Sequence, residues 1–206
     1  ALAAPAPAPS SVPLPVAPAA PLETGRVGWL GISGGAWIGL GSGQGGAGQL
    51  DYGYVRTPQG WTRLQLEVRL AATVARATDS KDLTTTMPTY GGLVQVPAGV
   101  EKTSAWIVEV VPGARLLFPV SPKFSLVGDA GLGLVQTVEK DERDELFSGH
   151  TDTTKNVTSL VLRLGAGMSF ALSERTRLLF LPVALSLQVG TGFSAFVPSL
   201  GLAYRL

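Results

Sequence analysis

The feature that most constrains this chain is a two-residue alternation of apolar and polar side chains, which begins near Arg26 and continues to the C-terminus. It is clearest in residues 61–76, where Leu and Val occupy one set of alternate positions and Arg, Gln, Glu and Thr occupy most of the other. Because successive side chains of a strand point to opposite faces, this segment predicts a β-strand with one apolar and one polar face.

The composition argues against several other classes of protein. Hydrophobic residues make up 45% of the chain and charged residues only 15%, whereas about a quarter is usual for a soluble domain. No stretch reaches the roughly 18 consecutive apolar residues that a membrane-spanning helix needs. A net charge of +1 and the lack of a basic cluster argue against a nucleic-acid partner. The chain has no Cys and no metal-ligand constellation, so we expect neither a metal nor a cofactor.

The alternation predicts about eight antiparallel strands. They span residues 27–40, 49–56, 61–76, 103–119, 124–138, 156–172, 177–189 and 196–206. Tight turns at 57–60, 121–123 and 173–176 alternate with longer connectors at 41–48, 77–102 and 139–155. Short turns at one end and long loops at the other are typical of an outer-membrane barrel, and they place both termini at the periplasmic, tight-turn end.

The sizes of the side chains on the two faces favour a closed membrane barrel over a soluble sandwich. Small residues dominate the polar face and fit the crowded interior of an eight-stranded barrel. Bulky residues dominate the other face, which lipid tolerates. We therefore expect one set of side chains to face lipid: Leu66, Leu162, Leu164 and Leu181. We expect another set to face the lumen: Glu67, Arg163 and Ser169.

Three prolines keep a two-sheet sandwich open as the alternative. Pro112, Pro182 and Pro198 fall inside predicted strands, where a closed barrel has no free edge to accommodate a missing N–H donor. In a barrel, each proline requires a bulge or a position without a ladder hydrogen bond.

Aromatic residues lie on the apolar face near the tight turns or the C-terminus. They are Tyr54, Phe118, Phe124, Phe170 and Tyr204. Aromatic side chains at one level form the interfacial girdle of membrane barrels, and we interpret these five in that way. In a sandwich they would instead be scattered through the core.

The lumen face collects charges of both signs. They are Asp51, Arg63, Glu67, Arg69, Glu109, Arg115, Asp129, Arg163 and Arg205. Because buried charges are retained when they are paired, these residues predict a salt-bridge plug. Arg115 and Asp129 flank the turn at 121–123 at similar heights and form the best candidate pair. The alternative is the charged constriction of a pore, although eight strands leave little free bore.

The eight amphipathic runs and the ending from Pro198 to Leu206 resemble the small outer-membrane barrels of the OmpA and OmpX type. The resemblance covers residues 26–206, rests on pattern, and implies a closed, up-and-down transmembrane β-barrel. Members of that family usually end in an aromatic residue, whereas this chain ends in Leu206 with Tyr204 two positions earlier. The family includes adhesins and lipid-A enzymes, so the fold implies little about function.

Residues 1–24 form a separate segment, and we assign residues 25–206 to the barrel. Prolines at seven of the first 21 positions favour an extended arm, either a periplasmic linker or a strap that docks on an envelope protein. The first three residues look like the end of a signal-peptide cleavage site, and whether they belong to one stays open.

Two features of the 139–155 connector allow chemistry. His150 has Ser148, Asp144 and Asp152 nearby, a set that could be nucleophilic but that we expect to be a solvated loop. The acidic run 139–145 either binds cations or is a loop exposed to solvent without a binding role.

These observations predict a non-enzymatic structural or interaction barrel of the bacterial outer membrane, in contact with its lipid. A narrow channel and a lipid-A-modifying enzyme are the alternatives.

Overall fold

The computed structural model describes residues 27–39, 43–56, 64–145, 149–190 and 194–206, and these contain strands and turns only. The strands are β1 (Val27–Gly39), β2 (Gln44–Val55), β3 (Gln65–Thr89), β4 (Gly92–Ser121), β5 (Phe124–Glu145), β6 (Gly149–Ala171), β7 (Thr176–Val189), β8 (Ser194–Phe196) and β9 (Ser199–Arg205). No helix in these ranges is long and apolar enough to span a membrane. The predicted arm, residues 1–24, lies outside the described residues.

The strands form one closed antiparallel ring with eight positions. Each strand from β1 to β7 pairs with its neighbour in sequence, and β8 and β9 together fill the eighth position, between β7 and β1. Leu30 of β1 lies opposite Tyr204 of β9, and Leu178 of β7 lies opposite Leu202. The predicted closed up-and-down barrel is therefore confirmed, and the barrel has no sheet edge at this seam.

The bulky apolar face points outward along the ring, as the alternation predicts. Leu134 is 58% exposed, whereas the next residue, Val135, is 1% exposed and lies in the lumen. The same contrast separates Val110 from Val111 on the neighbouring strand β4. A two-sheet sandwich would bury the outward side chains, so this alternative is excluded.

Each of the three prolines lies where the ladder is interrupted. The β4–β5 pairing stops at Val110 and resumes at Gly113, with Pro112 between them. Pro182 lies at a register shift between β6 and β7, and Pro198 separates β8 from β9. The missing N–H donors therefore remove no regular ladder bond at these sites.

The bulge at Pro182 corrects the predicted orientation of Leu181. Ala166 pairs with Val183 but Met168 pairs with Phe180, so β7 has one extra residue across the bulge. The alternation of β7 therefore reverses across the proline. Leu181 is 5% exposed and faces the lumen, so the expectation that it faces lipid was wrong.

The predicted long loops are also wrong, because strands continue through them. β3 and β4 pair up to Thr89 and Gly92, and β5 and β6 pair up to Glu145 and Gly149. The connector predicted at 41–48 is likewise shortened, since β2 begins at Gln44. Hydrophobic alternation identifies strands with one buried face, and these extensions have water on both faces. We call residues 79–103 and 139–155 the projecting sheet.

We expect Leu162→Arg to destabilise the barrel in phosphatidylcholine vesicles by roughly 2–4 kcal/mol, because Leu162 lies on the outward face within the apolar belt. Thr158→Arg, on the same face of β6 but toward the projecting sheet, should cost only about 0–1 kcal/mol. Urea unfolding monitored by Trp fluorescence measures both. Equal costs at the two positions would contradict the assignment of this face to lipid.

Candidate functional site

The lumen brings together most of the charged residues predicted to face it. Seven of them are buried: Asp51, Glu67, Arg69, Glu109, Arg115, Asp129 and Arg163. Arg205 is half-buried, and Arg63 lies outside the described residues. Since each lumen position alternates with an outward residue, the strands themselves direct these side chains toward the barrel axis.

Arg115 on β4 is the centre of an ionic cluster in the half of the lumen nearer the tight turns. Its guanidinium Nη1 lies 3.2 Å from Glu67 Oε1, and its Nη2 lies 3.3 Å from Asp129 Oδ2. Asp51 Oδ1 is 3.7 Å from Nη1. Three carboxylates from three other strands therefore surround one fully buried guanidinium.

Two further arginines complete this cluster. Arg69 Nε lies 2.9 Å from Asp129 Oδ1, and its Nη1 lies 3.9 Å from Asp51 Oδ2. Arg177 pairs with the second carboxylate oxygen of Glu67 and stacks over Trp29, 4.1 Å from the ring centroid. Each carboxylate of the cluster thus contacts two arginines.

Sequence reasoning missed Arg177 because unbroken alternation places it on the same face as Leu181, which was expected to face lipid. Arg177 precedes the bulge at Pro182, so it shares the lumen face with Leu179 and Leu181. The proline was the only sequence signal that the alternation of this strand reverses.

A second polar cluster lies around Glu109, nearer the projecting sheet. Arg163 Nη1 donates to Thr73 Oγ1 at 2.5 Å and lies 3.4 Å from Glu109 Oε2. Ser186 Oγ donates to Glu109 Oε1 at 2.5 Å. Both carboxylate oxygens of Glu109 are therefore engaged.

The buried ionic groups of the described lumen balance in charge. Four arginines (Arg69, Arg115, Arg163 and Arg177) face four carboxylates (Asp51, Glu67, Glu109 and Asp129). Removing ions from water is unfavourable unless each ion is paired and hydrogen-bonded, and this arrangement supplies the pairs.

Buried apolar side chains lie in the lumen on either side of the charged clusters. On β5, Asp129 lies between Val127, toward the tight turns, and Val135, toward the projecting sheet. Val135 belongs to a buried cluster around Trp37, and Val127 packs with Leu179 and Leu181. A separate cluster of Trp29, Val55 and Ala203 fills the turn end beside β1.

Gly53 provides the room that Glu67 requires. A Cβ atom on Gly53 would lie 2.4 Å from Glu67 Oε1 and 2.9 Å from its carboxyl carbon. The small residues of the lumen face therefore accommodate the charged side chains opposite them, because any larger residue here would displace the carboxylate from Arg115.

The five predicted girdle aromatics lie on the outer face. Phe118, Phe170 and Tyr204 are exposed, and Tyr54 and Phe124 are half-buried. Phe124 and Phe170 form a tilted pair with ring centroids 5.1 Å apart beside the turn at 121–123. Their contact with the membrane interface stays a prediction.

His150 lies in strand β6 rather than in the flexible loop that the sequence suggested. Its Nδ1 is 2.5 Å from Asp144 Oδ1, on the paired strand β5, and its Nε2 is 2.8 Å from Asp152 Oδ1. The hydrogen bond with Asp144 is the main cause of a raised pKa for His150, and the charge of Asp152 adds to it. Lys140 contacts Asp152 at 3.4 Å. Ser148 lies outside the described residues.

We expect Arg115→Met to lower the free energy of unfolding by about 3–5 kcal/mol, the usual cost of breaking a buried ion pair. Asp129→Leu should cost less, because Arg115 keeps Glu67 and Asp51. The double variant should cost less than the sum of the single changes, which urea unfolding in vesicles measures as a double-mutant cycle. Small, additive effects would show that the lumen charges are hydrated and uncoupled.

We expect a proton NMR titration to place the pKa of His150 above its ordinary value of 6.5. Asp144→Asn should lower that pKa, whereas Asp82→Asn, at a distant strand, should leave it unchanged. Because the folded-state pKa is raised, the stabilisation by charged His150 is complete below pH 6.5 and is lost as the pH rises through the folded-state pKa. A wild-type pKa at or below 6.5 would mean that the two carboxylates do not hold the imidazolium.

Comparisons with known proteins identify the fold and no closer relationship. Neither the protein-family models nor the curated proteins give a match. A major outer membrane protein of Thermus thermophilus superposes with a TM-score of 0.50 at 16% identity, covering 88% of this chain and 99% of that chain. The outer membrane protease OmpT of Escherichia coli gives 0.50 at 8% identity, with 88% and 97% covered.

The attachment invasion locus protein Ail of Yersinia pestis also matches, with a TM-score of 0.46 at 15% identity over 87% of this chain and 99% of that chain. Identities this low establish the fold alone, and the presence of a protease shows that the fold does not determine activity. The chain has the fold of the outer-membrane β-barrels.

Proposed function

We propose that this chain is a non-enzymatic barrel of a bacterial outer membrane, which acts by interaction at the cell surface and has a lumen closed to ions. The observation that carries this proposal is the projecting sheet. This sheet consists of four strands that continue beyond the ring. They do so at the end of the barrel opposite the tight turns and opposite the first and last described residues.

The outer surface of the ring supports the membrane location. Large apolar side chains such as Leu70, Val110 and Leu132 are about half exposed on adjacent strands. Exposed apolar patches of this extent are rare on soluble monomers, and a bilayer would cover them. In this location the tight turns and the termini are periplasmic, and the projecting sheet is outside the cell.

The projecting sheet supports an interaction role because neither of its two edges has a strand partner within the described residues. β2 pairs with β3 only as far as Thr78, and β7 pairs with β6 only from Leu160. Residues 149–158 of β6 are exposed throughout. Natural proteins usually cover or shorten such edges, and an open edge can accept an extended segment of a partner as an added strand.

The closed lumen argues against the channel alternative. The charges of the two polar clusters cancel, and apolar clusters lie on both sides of them. An ion crossing the barrel would have to separate buried pairs such as Arg115 and Glu67 and displace Trp37, which is 0% exposed. Both steps are unfavourable.

The arrangement of His150 argues against a catalytic role for this residue. A general base needs one ring nitrogen free to accept a proton from the nucleophile. Here Asp144 occupies Nδ1 and Asp152 occupies Nε2. The two carboxylates favour the protonated imidazole and raise the pKa of His150, an arrangement that suits a structural contact.

Planar-bilayer recordings test the closed lumen. We expect the wild-type chain to give no stepwise conductance, and Trp37→Ala to give at most irregular leakage because the ionic clusters remain. Regular steps in the wild type, with an ion selectivity that changes in Glu67→Gln, would favour the channel instead.

Photo-crosslinking on intact cells tests the interaction role. A benzoylphenylalanine at Thr153, on the open edge of β6, should give a discrete adduct, whereas the same group at Ser199 on the lumen face should give none. If no edge position formed an adduct and lipid-A mass spectrometry showed a modification that depends on this chain, the enzyme alternative would replace the proposal.

A further inference from the structure

A step on the outer surface of the barrel arises from the unequal lengths of neighbouring strands. The β1–β2 hairpin ends near Ile38 and Gln44, while β3 and β4 continue into the projecting sheet. A polar cavity of about 710 Å³ lies above this step. We define the outer ledge as six of the nine polar residues that line this cavity: Gln44, Arg76, Thr78, Ser80, Lys102 and Ser104.

In the part of the chain that the structure describes, the two cations of the outer ledge, Arg76 and Lys102, lack the carboxylate partners that three basic residues of the projecting sheet have. Lys140, Arg143 and Lys155 each contact a carboxylate. Among the described residues, neither Arg76 nor Lys102 has a carboxylate oxygen within 4.0 Å. Both side chains are exposed on the outward face, so two positive charges lie open to a ligand.

Two acidic residues, Asp79 and Glu142, also line the cavity. Glu142 lies opposite Lys102 in the β4–β5 ladder, but its Oε1 is 2.5 Å from Lys140 Nζ. Asp79 Oδ1 accepts a hydrogen bond from the backbone N–H of Ser80 at 2.9 Å. The charge of Glu142 is therefore paired with Lys140, whereas Asp79 lies three residues from Arg76, on the opposite face of β3. The outward face of the ledge, in the described ranges, keeps two cations without a carboxylate partner, together with hydroxyl donors.

The ladder register sets the height of the outer ledge just above the apolar belt. Val74 lies opposite Val108, and the next outward pair is Arg76 opposite Trp106. The Arg76 guanidinium is 5.4 Å from the centroid of the Trp106 ring, and Trp106 is 51% exposed. Tryptophan on the lipid side of a barrel is typical of the membrane–water interface, so the ledge is at headgroup level.

The spacing of Arg76 and Lys102 allows both side chains to contact one anion in the outer ledge. Thr78 lies opposite Ser104, between the Arg76 row and the row of Ser80 and Lys102. The two cations are four residues apart along the strands, or about 13 Å between backbones. Both side chains line the same cavity, so both can reach one anion seated at Thr78 and Ser104.

We propose that the outer ledge binds the phosphate group of an anionic lipid in the outer leaflet of the membrane. The guanidinium of Arg76 and the ammonium of Lys102 contact the phosphate oxygens, and the hydroxyls of Thr78, Ser80 and Ser104 donate to them. The acyl chains lie below, against Trp106 and Ile38. This inference rests on the proposed membrane location, because only a bilayer brings a headgroup to this height.

Native mass spectrometry of the full chain in phosphatidylcholine nanodiscs tests the site. The probes are lipid A with its phosphates and the same lipid A after phosphatase treatment. We expect the wild type to retain the phosphorylated form at least about tenfold more, since each basic residue near a surface contributes substantially to binding anionic lipid. R76Q/K102Q should lose this preference.

The matched control is K81Q/K155Q, which removes the same charge from the other face of the projecting sheet. It should keep the preference for the phosphorylated lipid. Equal retention by the wild type and R76Q/K102Q, or an equal loss in both double variants, would overturn the proposal. Should R76Q/K102Q fail to fold, R76Q and K102Q alone are each expected to give a partial loss, and no loss in either would overturn it.

Two further measurements distinguish a failure of the lipid site from a failure of the proposed membrane location. Inorganic phosphate at millimolar concentration should not displace the lipid, and complete displacement would assign the ledge to free phosphate instead. Heat-modifiable gel mobility and insertion into nanodiscs are measured before any lipid is counted. A chain that does not insert contradicts the proposed membrane location, whereas one that inserts but shows no preference contradicts only the lipid site.

Discussion

The structure depends on closing the ring of strands between β1 and β9. Residues 29–35 of β1 pair with residues 199–205 of β9, so the seam has ladder partners on both sides. In a bilayer no water is available for unpaired N–H and C=O groups, and closure satisfies them without an edge. The gap in the β4–β5 ladder at Pro112, the bulge at Pro182 and the strand break at Pro198 accommodate three prolines within this ring.

Closure with eight positions also determines the chemistry of the lumen. The interior is narrow, so a side chain on one strand reaches across to distant strands, as Arg163 of β6 reaches Thr73 of β3. Charges confined at such distances are stable only when they are balanced, and small residues such as Gly53 leave the space for them. Among the described residues, the lumen therefore contains balanced ionic clusters with apolar clusters on both sides of them.

The unequal strand lengths generate the features outside the ring. Because β3 to β6 continue where β2 and β7 end, one four-stranded sheet projects, and its edges have no strand partner in the part of the chain that the structure describes. The step beside the short β1–β2 hairpin leaves Arg76, level with Trp106, and Lys102, four residues further out, on the outward face. The proposed interaction surface and the proposed lipid site therefore both depend on one property of the architecture, the unequal lengths of the strands.

The sequence by itself determined the class of fold and the two faces of most strands, because alternation is a local property that one buried face imposes. It also brought Arg115 and Asp129 to the same hairpin, since they flank a tight turn. Only the tertiary structure decided the contacts of Arg115 with Glu67 and of Arg177 with Glu67, which join residues far apart in the chain. It also decided the reversal at Leu181 and the strands beyond the ring. A bulge shifts the register by one residue, so the alternation before it does not predict the faces after it. A strand with water on both faces has no hydrophobic period, so alternation does not predict such a strand.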